Sequence, residues 1–136
     1  MSEDKCSCGC SDNSSGCASS ASSHSVYACA GASNVGKLSY ELAIELHKRG
    51  EYGISCAVGV GADLCGFVEG AAKSYHTNLL IDGCPVSCLK QMFDNKGIDN
   101  YDHIIVTEMG IAKEGNFDYD PAVIAELTTQ IHNMGL

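Results

Sequence analysis

The sequence predicts a small α/β fold of Rossmann-like form: a four-stranded parallel sheet with helices on both faces, three layers in all. Two observations carry this expectation. Short apolar runs lie at residues 26–30, 54–60, 79–82 and 103–107, and each is followed by a stretch with helical periodicity. Alternating strands and helices then require right-handed crossovers, because a right-twisted strand feeding a helix packs back onto its sheet in that sense. The expected strand order is 2-1-3-4. It reverses between the first and third strands, and ligands of such sheets sit beyond the strand carboxyl ends at that point.

The elements follow in order. After the first strand comes the turn GASNVG, with Ser33 or Asn34 as helix cap, then Leu38, Leu42 and Leu46 on one helical face. His47, Lys48 and Arg49 precede Gly50, as suits a helix carboxyl end and its cap. The second strand is placed at 54–60. Asp63 is expected to cap a helix whose stripe is Leu64, Phe67, Val68, Ala71 and Ala72. The third strand, 79–82, leads to Pro85, placed at the first helical position, with Val86, Leu89, Met92 and Phe93 running on to Gly97. A fourth strand at 103–107 precedes a last helix opened by Asp120 and Pro121, with Val123, Ile124, Leu127 and Ile131 inward.

Composition bounds the function. The chain has 136 residues, one domain's worth, and no Trp, so its core is built mainly from Val, Ile, Leu and Ala. A formal net charge of −9 disfavours nucleic acid and anionic membrane, since both need a positive surface. The start MSEDKCSCGC has no apolar run of a signal peptide, which makes a cytoplasmic home the expectation. Residues 1–25 are rich in Ser and carry Cys6, Cys8, Cys10 and Cys17. This stretch has too little apolar surface to offset ordering and is expected to be a disordered tail before a domain at 26–136.

Nine cysteines are far above ordinary usage for such a chain. The odd count and the regular core pattern argue against a disulfide framework, so grouped thiols point to metal or thiol chemistry. Any one cysteine could be a small buried hydrophobe, but the whole set could not. The expected fold brings Cys29, Cys56, Cys84 and Cys88 to one edge, and four thiolates are the complement of a closed tetrahedral zinc site. With Pro85 at the first helical position, Cys84 becomes the cap and Cys88 lies one turn on, so both sulfurs reach one ion. The helix amino end stabilises thiolates. Asp82 stands ready as an outer hydrogen-bonding group or an oxygen ligand. Zn²⁺ is therefore the expected cofactor, with an iron–sulfur cluster or Cu(I) as other tenants of such a site. The tail cysteines Cys6, Cys8, Cys10 and Cys17 form a second, weaker candidate site.

Four blocks in order, CAGASNVGKLSYELAIEL, SCAVGVGA, IDGCPVSCLK and HIIVTEMGIAK, resemble the DGC-domain proteins, a family described as zinc-binding. The resemblance runs from about Tyr27 to Lys113 and leaves out the tail. It implies that Cys29, Cys56, Cys84 and Cys88 are the family's cysteines and that Asp82, Gly83 and Cys84 are its naming tripeptide. Cys65 lies outside these blocks and is a reserve ligand. The resemblance supplies no reaction.

Other readings compete. Thiol redox or sulfur transfer through the CxxxC cysteines is the principal alternative, since thiolates at a helix amino end are nucleophilic. GASNVGK fits a phosphate-cradling GxxxxGK between strand and helix, but Leu38 replaces the hydroxyl that binds Mg²⁺. Cys29 lacks the following Arg of a phosphatase loop. His24, His47, His76, His103 and His132 are taken as structural or surface residues, with His103 at the far edge from the cysteines. Glu108, after the fourth strand, is a weak candidate, and no catalytic residue is assigned.

Overall fold

The computed structural model describes residues 24–73 and 77–136. The sheet is parallel throughout, in the order 2-1-3-4, as the sequence predicts. Its strands are β1 (His24–Ala28), β2 (Gly53–Ile54), β3 (Thr77–Asp82) and β4 (Tyr101–Ile105). The helices are α1 (Asn34–Lys48), α2 (Ala57–Gly61), α3 (Cys65–Ala72), α4 (Cys88–Asn95) and α5 (Ala122–Asn133). A 3-10 turn, Val106–Met109, follows β4. Among the described residues, no helix is long and apolar enough to cross a membrane.

Strand alternation divides the core into two layers. Val26, Ala28, Leu79, Ile81 and Ile104 face Leu38, Leu42 and Leu46 of α1 and Leu127 and Ile131 of α5. Tyr27 and Leu80 face the other way, onto Val60, Ala71, Leu89 and Phe93 of α2, α3 and α4. Tyr27 and Phe93 meet edge to face with ring centroids 5.0 Å apart. The faces assigned here by period two decide where the cysteines go.

Several boundaries depart from expectation. The apolar run after Gly53 forms only a two-residue strand, and residues from Ala57 turn into α2, so Cys56 is not on a strand. Asp63 does not cap α3; it occupies the left-handed region at φ 57° in the link, and Leu64 takes the cap position. Residues 84–87 form a tight turn, with the Ser87 amide donating to the Cys84 carbonyl at 3.0 Å. Ser87, at φ 52°, therefore stands before α4, and Cys84 is not its cap. Ser33 caps α1 as expected, its hydroxyl accepting from the Gly36 amide at 3.1 Å. The tail cysteines and His76 lie outside the described residues.

Candidate functional site

Glycine contact sets the carboxyl edge of the sheet. A Cβ on Gly36 would stand 2.1 Å from the Gly31 carbonyl oxygen, and one on Gly83 would meet the Gly36 nitrogen at 2.9 Å. The turn after β1, the start of α1 and the end of β3 therefore approach closer than side chains would permit. Asn34 ties this turn to the segment after β4. Its side-chain amide donates to the Ala112 carbonyl at 2.9 Å, and its oxygen accepts from the Glu114 amide at 2.7 Å. Lys37 reaches over the Tyr119 ring, 5.3 Å from the centroid.

Cys29 follows β1 directly, and its amide donates to the Ile81 carbonyl at 3.0 Å, continuing the ladder to β3. Two residues beyond Tyr27, its side chain shares the α4 side and packs on that core layer. Its Sγ accepts the Gly83 N–H at 3.2 Å and lies 3.4 Å from the Ser39 hydroxyl. That hydroxyl is itself buried, 2.6 Å from the Gly36 carbonyl that accepts from it.

Asp82 is the polar centre beside it, 1% exposed. Its Oδ1 accepts from the Leu89 amide at 3.1 Å and its Oδ2 from the Lys90 amide at 3.1 Å. The His103 ring Nε2 lies 2.8 Å from Oδ2. The carboxylate thus satisfies amides that the first turn of α4 leaves open, a task that no side chain at the cap position performs. Cys88 Sγ lies 4.0 Å from Oδ1. Burial pushes the Cys88 thiol upward, and negative charge at Asp82 and then at Cys29 pushes the same way.

Cys84 and Cys56 stand apart from that pair. Cys84 packs against the α1 and α5 layer, and Lys113 Nζ donates to its Sγ at 3.5 Å. Cys56 is exposed and caps α2, its Sγ accepting the Gly59 amide at 3.4 Å. It also adds to the upward shift of the Tyr27 phenol, which burial causes and a Ser55 hydrogen bond opposes. All four are free thiols. Among the described residues, no three His, Cys, Asp or Glu side chains are grouped as ligands of one ion. The donor chemistry suits a soft cation, whereas Cys56 and Cys84 must exchange their present partners to share one with Cys29 and Cys88. Cys65 opens α3 but is disulfide-bonded, which withdraws it as a reserve ligand, and Glu108 is exposed in the 3-10 turn.

His103 is the residue that sequence reasoning set aside. Placed opposite Leu80 in the β3–β4 register, it lies on the α4 side and reaches Asp82. The available signal was its place one residue before Ile104, whose apolar side chain faces the other layer. His47 serves structure instead, its Nδ1 accepting from the Ile54 amide at 3.3 Å. His132 pairs with Glu51 at 3.0 Å.

The DGC domain profile matches residues 25–131. A curated relative, the anaerobic and virulence modulator AnvM of Pseudomonas aeruginosa, is 31% identical over 109 residues, spanning 80% of this chain and 82% of that protein. No solved structure matches the chain significantly.

Proposed function

The chain belongs to the DGC-domain family, and from that premise we propose that it binds a zinc ion through cysteine thiolates at the carboxyl edge of its sheet. One observation carries the reading: Cys29 and Cys88 are free thiols on one side of the sheet, both set against the Asp82–Gly83 dipeptide. Cys56 and Cys84 complete a tetrahedral thiolate set, with metal–sulfur distances of about 2.3 Å. Their present partners are modest: one amide of a five-residue helix, and one lysine ammonium. Asp82 stays outside the metal, because its oxygens are already committed to α4 and His103. The relative's name describes a modulator, which fits a regulatory metal better than a catalytic one.

Protein purified under reducing, chelator-free conditions should carry about one zinc in the domain, the stoichiometry of a closed four-thiolate site. Cobalt substitution should give thiolate-to-metal charge-transfer absorption with tetrahedral d–d bands. Cys29→Ser and Cys88→Ser should lower metal content and thermal midpoint together, and Cys65→Ser should leave metal content unchanged. A brown protein with sulfide-to-iron absorption would replace zinc by a cluster. Unchanged metal content in the Cys29 and Cys88 variants would end the reading.

A further inference from the structure

We propose that Cys29 and Cys88 are a reversible redox pair, joined as a disulfide by a small-molecule disulfide oxidant, and that Cys84 takes no part. The inference goes beyond metal binding and holds with or without an ion. Sequence spacing favours Cys84 with Cys88, but the fold separates them. The turn through Ser87, in the left-handed region, reverses the chain between them. Cys84 is left on the α1 and α5 layer beside Lys113. Cys88 opens α4 on the opposite side of the sheet, where Cys29 also packs.

Both partners are held in place there. Cys29 is fixed level with the end of β3 by its ladder bond to Ile81, and its sulfur by the Gly83 N–H. The start of α4 is pinned to Asp82 by two carboxylate bonds, with Cys88 Sγ 4.0 Å from the same carboxylate. Neighbouring residues of one strand end thus anchor both thiols, and the link requires their Cα atoms to lie within about 7 Å. The two also differ as an exchanging pair should. Cys88 is exposed, while Cys29 is partly covered and its sulfur is held by the Gly83 N–H.

The chemistry balances as ordinary exchange. The Cys88 thiolate attacks one sulfur of RSSR, forming a mixed disulfide and expelling RS⁻. The Cys29 thiolate then attacks the Cys88 sulfur, and the second RS⁻ leaves. The protein loses two electrons, the oxidant is reduced to two RSH, and the cysteine protons end on those thiols. A dithiol reductant reverses both steps.

The test uses the full chain, freed of metal by chelator and titrated with oxidised glutathione. Chymotryptic mapping isolates Cys29 from the tail cysteines by cleavage after Tyr27 and Leu38, and fragmentation of the cross-linked peptide identifies its partner. The expected result is a Cys29–Cys88 link that persists in Cys84→Ser, disappears in Cys88→Ser, and is undone by dithiothreitol. A Cys84–Cys88 or Cys29–Cys84 link, or only mixed disulfides with glutathione, overturns the proposal. Repeating the titration on zinc-loaded protein with a metal-sensitive dye separates the two readings. Zinc release in step with the link supports both, while the link without any bound zinc supports the redox pair and ends only the metal reading.

Discussion

Asp82 illustrates what a single residue's chemistry discloses and what it conceals. Its place before two cysteines marked it as an acidic group near a thiol site, and the structure sets it there, 4.0 Å from Cys88 Sγ. Its principal contacts were not legible, because they depend on α4 beginning at Cys88 rather than at Pro85, a shift that one left-handed residue imposes. A buried carboxylate accepting two amides and facing an imidazole is hard to replace. Asp82→Asn keeps one acceptor and turns an NH₂ towards a donor. The expected loss is about 2–4 kcal/mol in urea unfolding, since hydrogen bonds to charged groups contribute roughly 1.5–3 kcal/mol each. A loss under about 0.5 kcal/mol, the range of surface substitutions, would show that the carboxylate does not hold the helix. Glycines offer a second residue-scale contrast. Gly36→Ala drives a methyl into the Gly31 carbonyl and should cost about 3 kcal/mol or more, as severe overpacking does. Gly70→Ala lies within α3 with nothing within 4 Å of the new methyl, and should raise stability by about 0.4–1 kcal/mol.

Whole elements were legible where their period was long. Leu38, Leu42 and Leu46 determine α1, and all three are buried. The run after Gly53 was not, because short apolar stretches lack a period that tells strand from helix. There Gly59 lets the Phe67 ring approach within 2.7 Å of where its Cβ would lie, so α2 packs on α3 where an extended strand was expected. The junction of α4 and β4 supplies a pH-dependent test. Lys90 Nζ lies 2.7 Å from Asp94 Oδ2, and the Tyr101 hydroxyl donates to Oδ1 at 2.5 Å. The lysine contact first, and the tyrosine second, hold the Asp94 carboxyl below its ordinary range. Because its folded value is depressed, the stability it contributes is present above the unfolded carboxylate value of about 3.9 and is lost as pH falls through the folded value. The group is exposed, so the contribution is small. Tyr101→Phe should move the Asp94 midpoint upward in a carboxyl NMR titration while leaving it below the ordinary value, and an unmoved midpoint would remove the tyrosine from this account.

At the scale of the molecule, the strand order was legible because alternating strands and helices leave few permitted topologies. The reversal between β1 and β3 then directs attention to Cys29 and Asp82, neighbours across that seam. What the order could not disclose was side. Cys29 follows Tyr27 by two and shares its side, whereas Cys84 comes after the strand has ended, where alternation no longer governs. The proposed zinc would therefore join segments from β1, the β2–α2 link and the β3–α4 turn, and its binding should stabilise the whole fold. An ion that binds only the folded chain adds about 2.7 kcal/mol at a free concentration one hundred times Kd. For a chain of this size that corresponds to a rise in Tm of roughly 10 °C. Calorimetry with zinc buffered at that excess should show the rise in the full chain and its loss when Cys29, Cys56, Cys84 and Cys88 are all replaced by serine. For a separate site on the tail thiols Cys6, Cys8, Cys10 and Cys17 the expected signature differs. Thiols that bind an ion alike in folded and unfolded chains raise the stoichiometry without moving Tm, because stabilisation requires a difference in affinity between the two states. Replacing those four with serine should lower total zinc and leave the rise in Tm intact. A rise that survives loss of the domain cysteines but vanishes with the tail cysteines would transfer the stabilising site to the tail.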